Sequence, residues 1–181
     1  MRKFYSDISS ALEHVEVEDY GYKSVLGYLK MAHETKGPHG ARLIFIGNGG
    51  SAAIASHMAA DYQKNGGFPT LCFNDAASLT CIANEVGYES VFRLQLKHHA
   101  RIGDVLFAIS SSGDSLSIVN AVNLAKDLRL NVVTLSGFKP DNRIRGAGNV
   151  NFYVPSRNYG VVEISHLAIL HGLLNEALEH D

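Results

Sequence analysis

Short apolar runs alternating with longer stretches of helical periodicity are the feature that most limits what this chain can become. Leu43-Ile44-Phe45-Ile46, Thr70-Leu71-Cys72-Phe73, Val105-Leu106-Phe107-Ala108-Ile109 and Val132-Val133-Thr134-Leu135 are short and largely apolar, the pattern of strands buried on both faces. A weaker strand around Val150 to Val154 precedes Pro155. Between these runs, helices are expected at about Ser51 to Lys64, Ser78 to Asn84, Ser90 to Ala100 and Ser115 to Leu128, with a last one at Gly160 to Leu178. The opening segment also has helical spacing, through Ile8, Leu12 and Val15 and then Val25, Tyr28, Leu29 and Ala32, and Gly37-Pro38-His39-Gly40 ends it. Strands joined by helices of this length require right-handed βαβ crossovers. The expected fold is therefore α/β, a sandwich with a central parallel sheet covered by helices on both faces. Ligands of such sheets sit beyond the carboxyl ends of the strands, so the strand-to-helix turns are where chemistry is expected.

The chain has 181 residues, 46% of them hydrophobic and 19% charged, with a formal net charge of −2. That balance argues against disorder and against a basic nucleic-acid clamp, and it fits one domain spanning residues 1–181 with its helical segment 1–40 packed on the core. A chain of this length buries roughly 70% of the surface its unfolded form exposes, so it needs no structural metal or disulfide, and any metal would be functional. Cys72 and Cys81 lie outside any CxxC or Cys/His cluster, which fits a reduced, cytoplasmic setting. The N-terminus has no apolar run suited to a signal peptide, and no stretch reaches the ~18 apolar residues of a spanning helix, so no membrane association is expected. The apolar first and last helices would expose patches on a monomer, a mark of an interface.

Gly47-Asn48-Gly49-Gly50-Ser51-Ala52 follows the first strand and opens a helix. Glycines let the backbone approach a ligand, and free N–H groups at the positive helix end favour an anion, so this turn is a phosphate or pyrophosphate seat. It also satisfies G-x-G-x-x-A, and Asp75 ends the second strand where a dinucleotide-binding protein places its ribose acid. A tight packing turn is the plainer alternative. The second turn, Ser110-Ser111-Ser112-Gly113-Asp114-Ser115, offers four hydroxyls in six residues after another strand. Alone, such a turn is commonly an N-cap, with Ser115 or Asp114 as the capping residue. Two anion-seeking turns at one sheet edge favour a phosphorylated small molecule, with no nucleotide cofactor.

His57 and Asp61 are spaced i, i+4, so they share a helix face and can bind one metal or exchange protons. Glu163, His166 and His171 interrupt the apolar stretch Val161 to Leu174, where ionisable groups need partners, and His166 reads equally well as a satisfied core histidine. Glu163 and His171 are about 12 Å apart in rise and about 80° apart around the helix, so one metal reaches both only if the side chains lean together or one comes from another copy.

The order of Gly47 to Ala52, then His57, then Cys81-Ile82-Ala83-Asn84-Glu85-Val86-Gly87-Tyr88, then Gly103-Asp104-Val105-Leu106 leading into Ser110 to Ser115, then Val154-Pro155-Ser156, resembles the phosphoheptose isomerase branch of the sugar isomerase (SIS) domain family. The resemblance covers nearly the whole chain. It implies a flavodoxin-like αβα fold and a homotetramer with sites at subunit interfaces, to which the helical segment 1–40 would contribute. It also implies one Zn²⁺ per site and conversion of sedoheptulose 7-phosphate to D-glycero-D-manno-heptose 7-phosphate through a metal-assisted enediol, the first step of bacterial heptose biosynthesis for lipopolysaccharide or capsule. By position, Ser51, Ser110, Ser111, Ser112 and Ser115 would hold the phosphate, with Asn48, Gly49, Gly50 and Asn84 also in the substrate site. His57, Asp61, Glu163 and His171 would be the metal ligands, with His171, Asp61 and Glu85 as acid/base groups.

Similar proteins carry Glu at the position of Asp61, Gln at that of Glu163 and Asn at that of Asp114. Asp61 is one methylene shorter, which sets a base about 1 Å back, a misplacement that can cost ~100-fold. Glu163 adds a negative charge that would tighten a divalent metal and blunt its Lewis acidity. Rival readings are a related ketose-phosphate isomerase of a capsule or glycan pathway, a non-catalytic SIS module that binds a protein such as a replication initiator, and a dinucleotide-dependent oxidoreductase.

Overall fold

The apolar runs pair as parallel strands. In the computed structural model, which describes residues 1–18, 20–35 and 40–179, the elements run α1 (Arg2–Glu13), α2 (Gly21–Glu34), β1 (Leu43–Gly47), α3 (Gly50–Gly66), β2 (Thr70–Cys72) and α4 (Ala76–Glu85). A 3₁₀ turn (Tyr88–Ser90) and α5 (Val91–His99) follow, then β3 (Val105–Ser110), α6 (Leu116–Asp127), β4 (Asn131–Ser136), β5 (Val150–Tyr153) and α7 (Tyr159–Glu179). The sheet order is β2-β1-β3-β4-β5 and every pair is parallel, which makes the chain the doubly wound α/β sandwich expected.

Side chains alternate between the two faces of each central strand. Leu43 and Phe45 of β1, Val105, Phe107 and Ile109 of β3, and Val133 and Leu135 of β4 pack with α2, α3 and α7. Ile44 and Ile46, Leu106 and Ala108, and Val132 face α5 and α6. Phe45 and Phe107 are register partners whose rings stack 4.9 Å apart at 8°, and Tyr62 of α3 tilts against both while its hydroxyl donates to the Leu170 carbonyl of α7 at 2.9 Å. α3 and α7 are thereby fixed side by side over the centre of the sheet. Ahead of β3, the fully buried Asp104 accepts from the backbone and guanidinium of Arg42 at 2.9 and 2.6 Å and from the Arg101 N–H at 2.9 Å. This clamp sets the starts of β1 and β3 level.

The opening segment differs from the single helical stretch expected. It forms two helices, and between them Glu16 makes an antiparallel bridge to Tyr153, exchanging both backbone hydrogen bonds at 2.9 Å and covering the β5 edge. Of the stop expected at Gly37 to Gly40, only Gly40 lies within the described residues. A second difference is that α7, with 21 residues and a mean hydropathy of 1.2, has the length and composition of a membrane span, contrary to the reading of the sequence. Its Val161, Val162, Leu170, Leu173 and Leu174 are instead buried in the core.

His166 is one of these core positions and no part of the cavity described below. Its ring is fully buried, with Nε2 3.1 Å from the Ser136 carbonyl, and burial pushes its pKa from 6.5 down to about 4. Between those values the unfolded chain binds a proton that the folded chain refuses. Its contribution is therefore fully present above pH 6.5 and falls by about 3 kcal/mol as the pH drops through 4. Urea unfolding across this range will show that loss, and His166→Gln, which keeps an N–H donor without titrating, will flatten it.

Candidate active site

β1 and β3 are neighbours with Gly47 opposite Ile109, so the turns that follow them open at the same edge of the sheet. α3 starts at Gly49 (φ +56), which has no side chain to cap it, and α6 starts at Ser115, whose hydroxyl makes no capping bond. α4, by contrast, is capped in the ordinary way, since the Asp75 carboxylate accepts from the Ser78 N–H and hydroxyl at 2.8 Å each. Those bonds hold Asp75 below its usual carboxylate range. The acid that could have met a ribose thus caps a helix, and the serine that could have capped α6 does not.

The two uncapped helix starts face a cavity of about 200 Å³ lined by Asn48, Ser51, the hydroxyl-rich turn and two residues of α7, Tyr159 and Glu163. Several serine oxygens there already accept a bond from the protein. Ser110 Oγ accepts from the Gly113 N–H and Ser112 Oγ from the Asp114 N–H at 3.2 Å each, while Ser115 Oγ accepts from Asn48 Nδ2 at 2.9 Å. A hydroxyl that accepts in this way keeps its hydrogen for a ligand. Ser111 Oγ is buried and has no hydrogen-bond partner among the described residues, a cost that an occupied cavity removes. Hydroxyl donors together with the positive ends of two helices make an anion seat.

The seat is braced from behind. Gly113 adopts φ +68, and a Cβ there would stand 2.0 Å from Asn142 Oδ1, so only glycine permits this approach. Ile144 N–H donates to the Gly113 carbonyl at 3.2 Å and Arg143 N–H to Asp114 Oδ1 at 3.1 Å. Asp114 therefore braces the turn through the 139–147 segment and does not cap α6.

Farther from the sheet edge, His57 and Asp61 of α3 meet His171 of α7, the helix that lines the seat with Tyr159 and Glu163. Asp61 Oδ2 lies 3.6 Å from His57 Nε2 and 3.8 Å from His171 Nδ1, and the imidazole rings are 5.3 Å apart. One ligand atom from each residue falls within 4.8 Å of the others. A tetrahedral ion with bonds of about 2.0–2.1 Å holds neighbouring ligand atoms roughly 3.3 Å apart, and the two Asp61 edges lie within a few tenths of an ångström of that spacing. Two imidazoles and a carboxylate are a donor set suited to zinc, with room for a fourth, exchangeable position.

Glu163 does not join this group. Its carboxylate lies against Gly50 at the start of α3, where a Cβ would stand 2.5 Å from it, so it lines the anion seat. Asn84 and Glu85 are exposed at the end of α4 and do not line the cavity. Tyr159 and Tyr88, whose hydroxyl donates to Asn48 Oδ1 at 2.8 Å, are site neighbours to which the sequence assigned no role, although Tyr88 closes the Cys81–Tyr88 stretch of the resemblance.

A family model described as the SIS domain matches residues 4–137. The phosphoheptose isomerase of Mycobacterium tuberculosis (strain ATCC 25177 / H37Ra) is 37% identical over 147 residues, covering 78% of this chain and 74% of that protein. That of Haemophilus ducreyi is 34% identical over 142 residues, covering 75% and 72%. Among solved structures, a phosphoheptose isomerase from Neisseria gonorrhoeae superposes with a TM-score of 0.85 at 23% identity, covering 98% of this chain and 94% of its own. One from Francisella tularensis gives 0.80 at 22%, covering 97% and 93%, and at such identities both speak for the fold.

Because Ser111 Oγ has no hydrogen-bond partner among the described residues, Ser111→Ala will change the unfolding free energy by less than about 1 kcal/mol while weakening inorganic phosphate binding about tenfold. Urea titration and calorimetry on the same samples check both halves.

Proposed function

The chain belongs to the SIS domain family, and we propose that it is a phosphoheptose isomerase, interconverting sedoheptulose 7-phosphate and D-glycero-D-manno-heptose 7-phosphate. Sugar-phosphate isomerisation is the activity named for its relatives. The observation that carries the reading is an anion seat at the start of α3, lined also by α7, with a histidine–carboxylate cluster farther along the same α3 and α7. Ser51 in the seat and His57 are six residues apart on α3, about 9 Å of rise, and Glu163 and His171 are separated by about 12 Å on α7. A seven-carbon sugar phosphate, extended, is roughly that long. With its phosphate in the seat, its carbonyl end meets the cluster.

The chemistry asked of the cluster is proton movement. Removal of a proton from carbon 1 of the ketose with protonation of O2 gives an enediol, and loss of the O1 proton with return of a proton to carbon 2 gives the aldose, with no net oxidation. His171 is the group we assign to this transfer, because an imidazole can both accept and return a proton. Asp61 orients it from 3.8 Å, a gap for a bound substrate to close. Glu85 is a second acid/base candidate, reaching the substrate only if that segment closes over the cavity. His57, Asp61 and His171 would hold a divalent ion, with Glu163 a ligand only if it leaves Gly50. When bound, zinc would supply positive charge to stabilise the negative charge that develops on the sugar oxygens.

Two readings concern assembly and substrate range. A homotetramer with sites at subunit interfaces would cover the exposed Tyr159 and Ile164 of α7 and the exposed Tyr5 and Leu12 of α1. A related ketose phosphate as substrate is favoured by the short Asp61, which sets the carboxylate back from the sugar. Assembly of both histidines with a carboxylate supports an enzyme over a binding-only module.

NMR of sedoheptulose 7-phosphate with metal-stripped protein, and again after adding Zn²⁺, tests the proposal. An aldoheptose 7-phosphate is expected in the zinc sample, and its absence from both samples of folded protein would refute the reading. His171→Ala will lower kcat by about 100-fold or more while leaving KM within a few-fold of wild type. Light scattering should give about four times the 19.7 kDa chain mass, and a monomer would refute the tetramer.

A further inference from the structure

Tyr88 belongs to neither the seat nor the cluster, yet its hydroxyl ends a hydrogen-bond chain that runs into the seat. We infer that Tyr88 is a positioning residue, fixing the Asn48 amide so that the Ser115 hydroxyl hydrogen is committed to the substrate phosphate. The inference rests on the phosphate seat proposed above.

The links from Tyr88 through Asn48 to the serines have one direction. Tyr88 OH donates to Asn48 Oδ1 at 2.8 Å, and Asn48 Nδ2 donates to Ser115 Oγ and Ser117 Oγ at 2.9 Å each, which uses both amide hydrogens. Ser117 is only 1% exposed, and its oxygen lies 3.2 Å from Ser115 Oγ, a pair in which either hydroxyl can donate; in the relay we infer, Ser117 donates to Ser115. Ser115 Oγ then accepts from both Asn48 and Ser117. Its two lone pairs are filled, and its hydrogen points to the cavity it lines.

An amide turned by 180° would reverse this arrangement. Asn48 would present Oδ1 to the two serines, Ser115 would donate to the wall, and its oxygen lone pairs would face an anion. The two orientations have the same shape, so a polar neighbour must choose between them, and Tyr88 is that neighbour. A phenol is a stronger donor than a serine hydroxyl, having a pKa near 10, and its ring withdraws the lone pair that would make it an acceptor. It therefore seeks Oδ1. The tyrosine is held in place through its own turn, where Asn120 Nδ2 of α6 donates to the Glu89 carbonyl at 3.2 Å. α6 thus supplies the serines and anchors the residue that orients them.

Phosphate affinity in a double-mutant cycle tests the relay without requiring turnover. Inorganic phosphate binding, measured by calorimetry, should weaken about tenfold in Tyr88→Phe and by a similar factor in Ser115→Ala, with the double variant no weaker than Ser115→Ala alone. Tyr88 is 55% exposed, so Tyr88→Phe should keep the wild-type melting temperature. With sedoheptulose 7-phosphate the same variant should raise KM and leave kcat near wild type. If wild type binds phosphate and Tyr88→Phe binds it equally well, or if the two losses add fully, the seat stands and the relay is wrong. If wild type does not bind phosphate at all, the seat and the relay fall together.

Discussion

The in-register pairing of β1 with β3 governs what the rest of the molecule can do. Both strands begin level, held by the Asp104 clamp on Arg42 and Arg101, and both end level, with Gly47 opposite Ile109. A slip of one residue would put Phe45 and Phe107 on opposite faces of the sheet and break their stack. It would also carry one of the two turns away from the other. Each uncapped helix start adds its own attraction for an anion, so the level ends bring the two attractions to one place. Two of them, with serines whose oxygens are already engaged, form a seat with hydrogens to give and few lone pairs to repel.

The second dependence is the close packing of α3 on α7. Tyr62 ties the pair through the Leu170 carbonyl, and the absence of a side chain at Gly50 lets Glu163 lie against the start of α3. α3 and α7 therefore line the phosphate seat at one end and carry the His57–Asp61–His171 cluster farther along. Glu163 introduces a tension here. Its carboxylate lines a site that favours anions, so a phosphate entering that site must tolerate it or move it toward the cluster, where it would be a further ligand for a divalent ion.

Much of this was legible in the sequence, for a physical reason. Buried parallel strands leave apolar runs and strand-to-helix turns leave glycine and serine, both local patterns, so the sheet, its helices and the two turns could be read directly. The break between α1 and α2 was legible only in hindsight: Val15-Glu16-Val17-Glu18 alternates as an edge strand does, but the signal is too short to outweigh the helical spacing on either side. Contacts between distant segments left no trace. Nothing near Asp75 shows that it caps α4, nothing near Glu163 shows that Gly50 makes room for it, and Tyr88 reaches Asn48 across 40 residues of chain. His166 looked like a site residue because an ionisable group in an apolar helix needs a partner, and the partner proved to be a buried carbonyl of β4.

The account holds that this fold places a proton-transferring group beside the carbonyl end of a sugar whose phosphate is anchored at the sheet edge. Solvent deuterium incorporation tests that most directly. Zinc-loaded protein incubated with sedoheptulose 7-phosphate in D₂O should return ketose carrying deuterium at carbon 1, read by NMR or mass spectrometry even where little aldose accumulates. Ketose recovered without deuterium, from protein shown to bind it, would contradict the account.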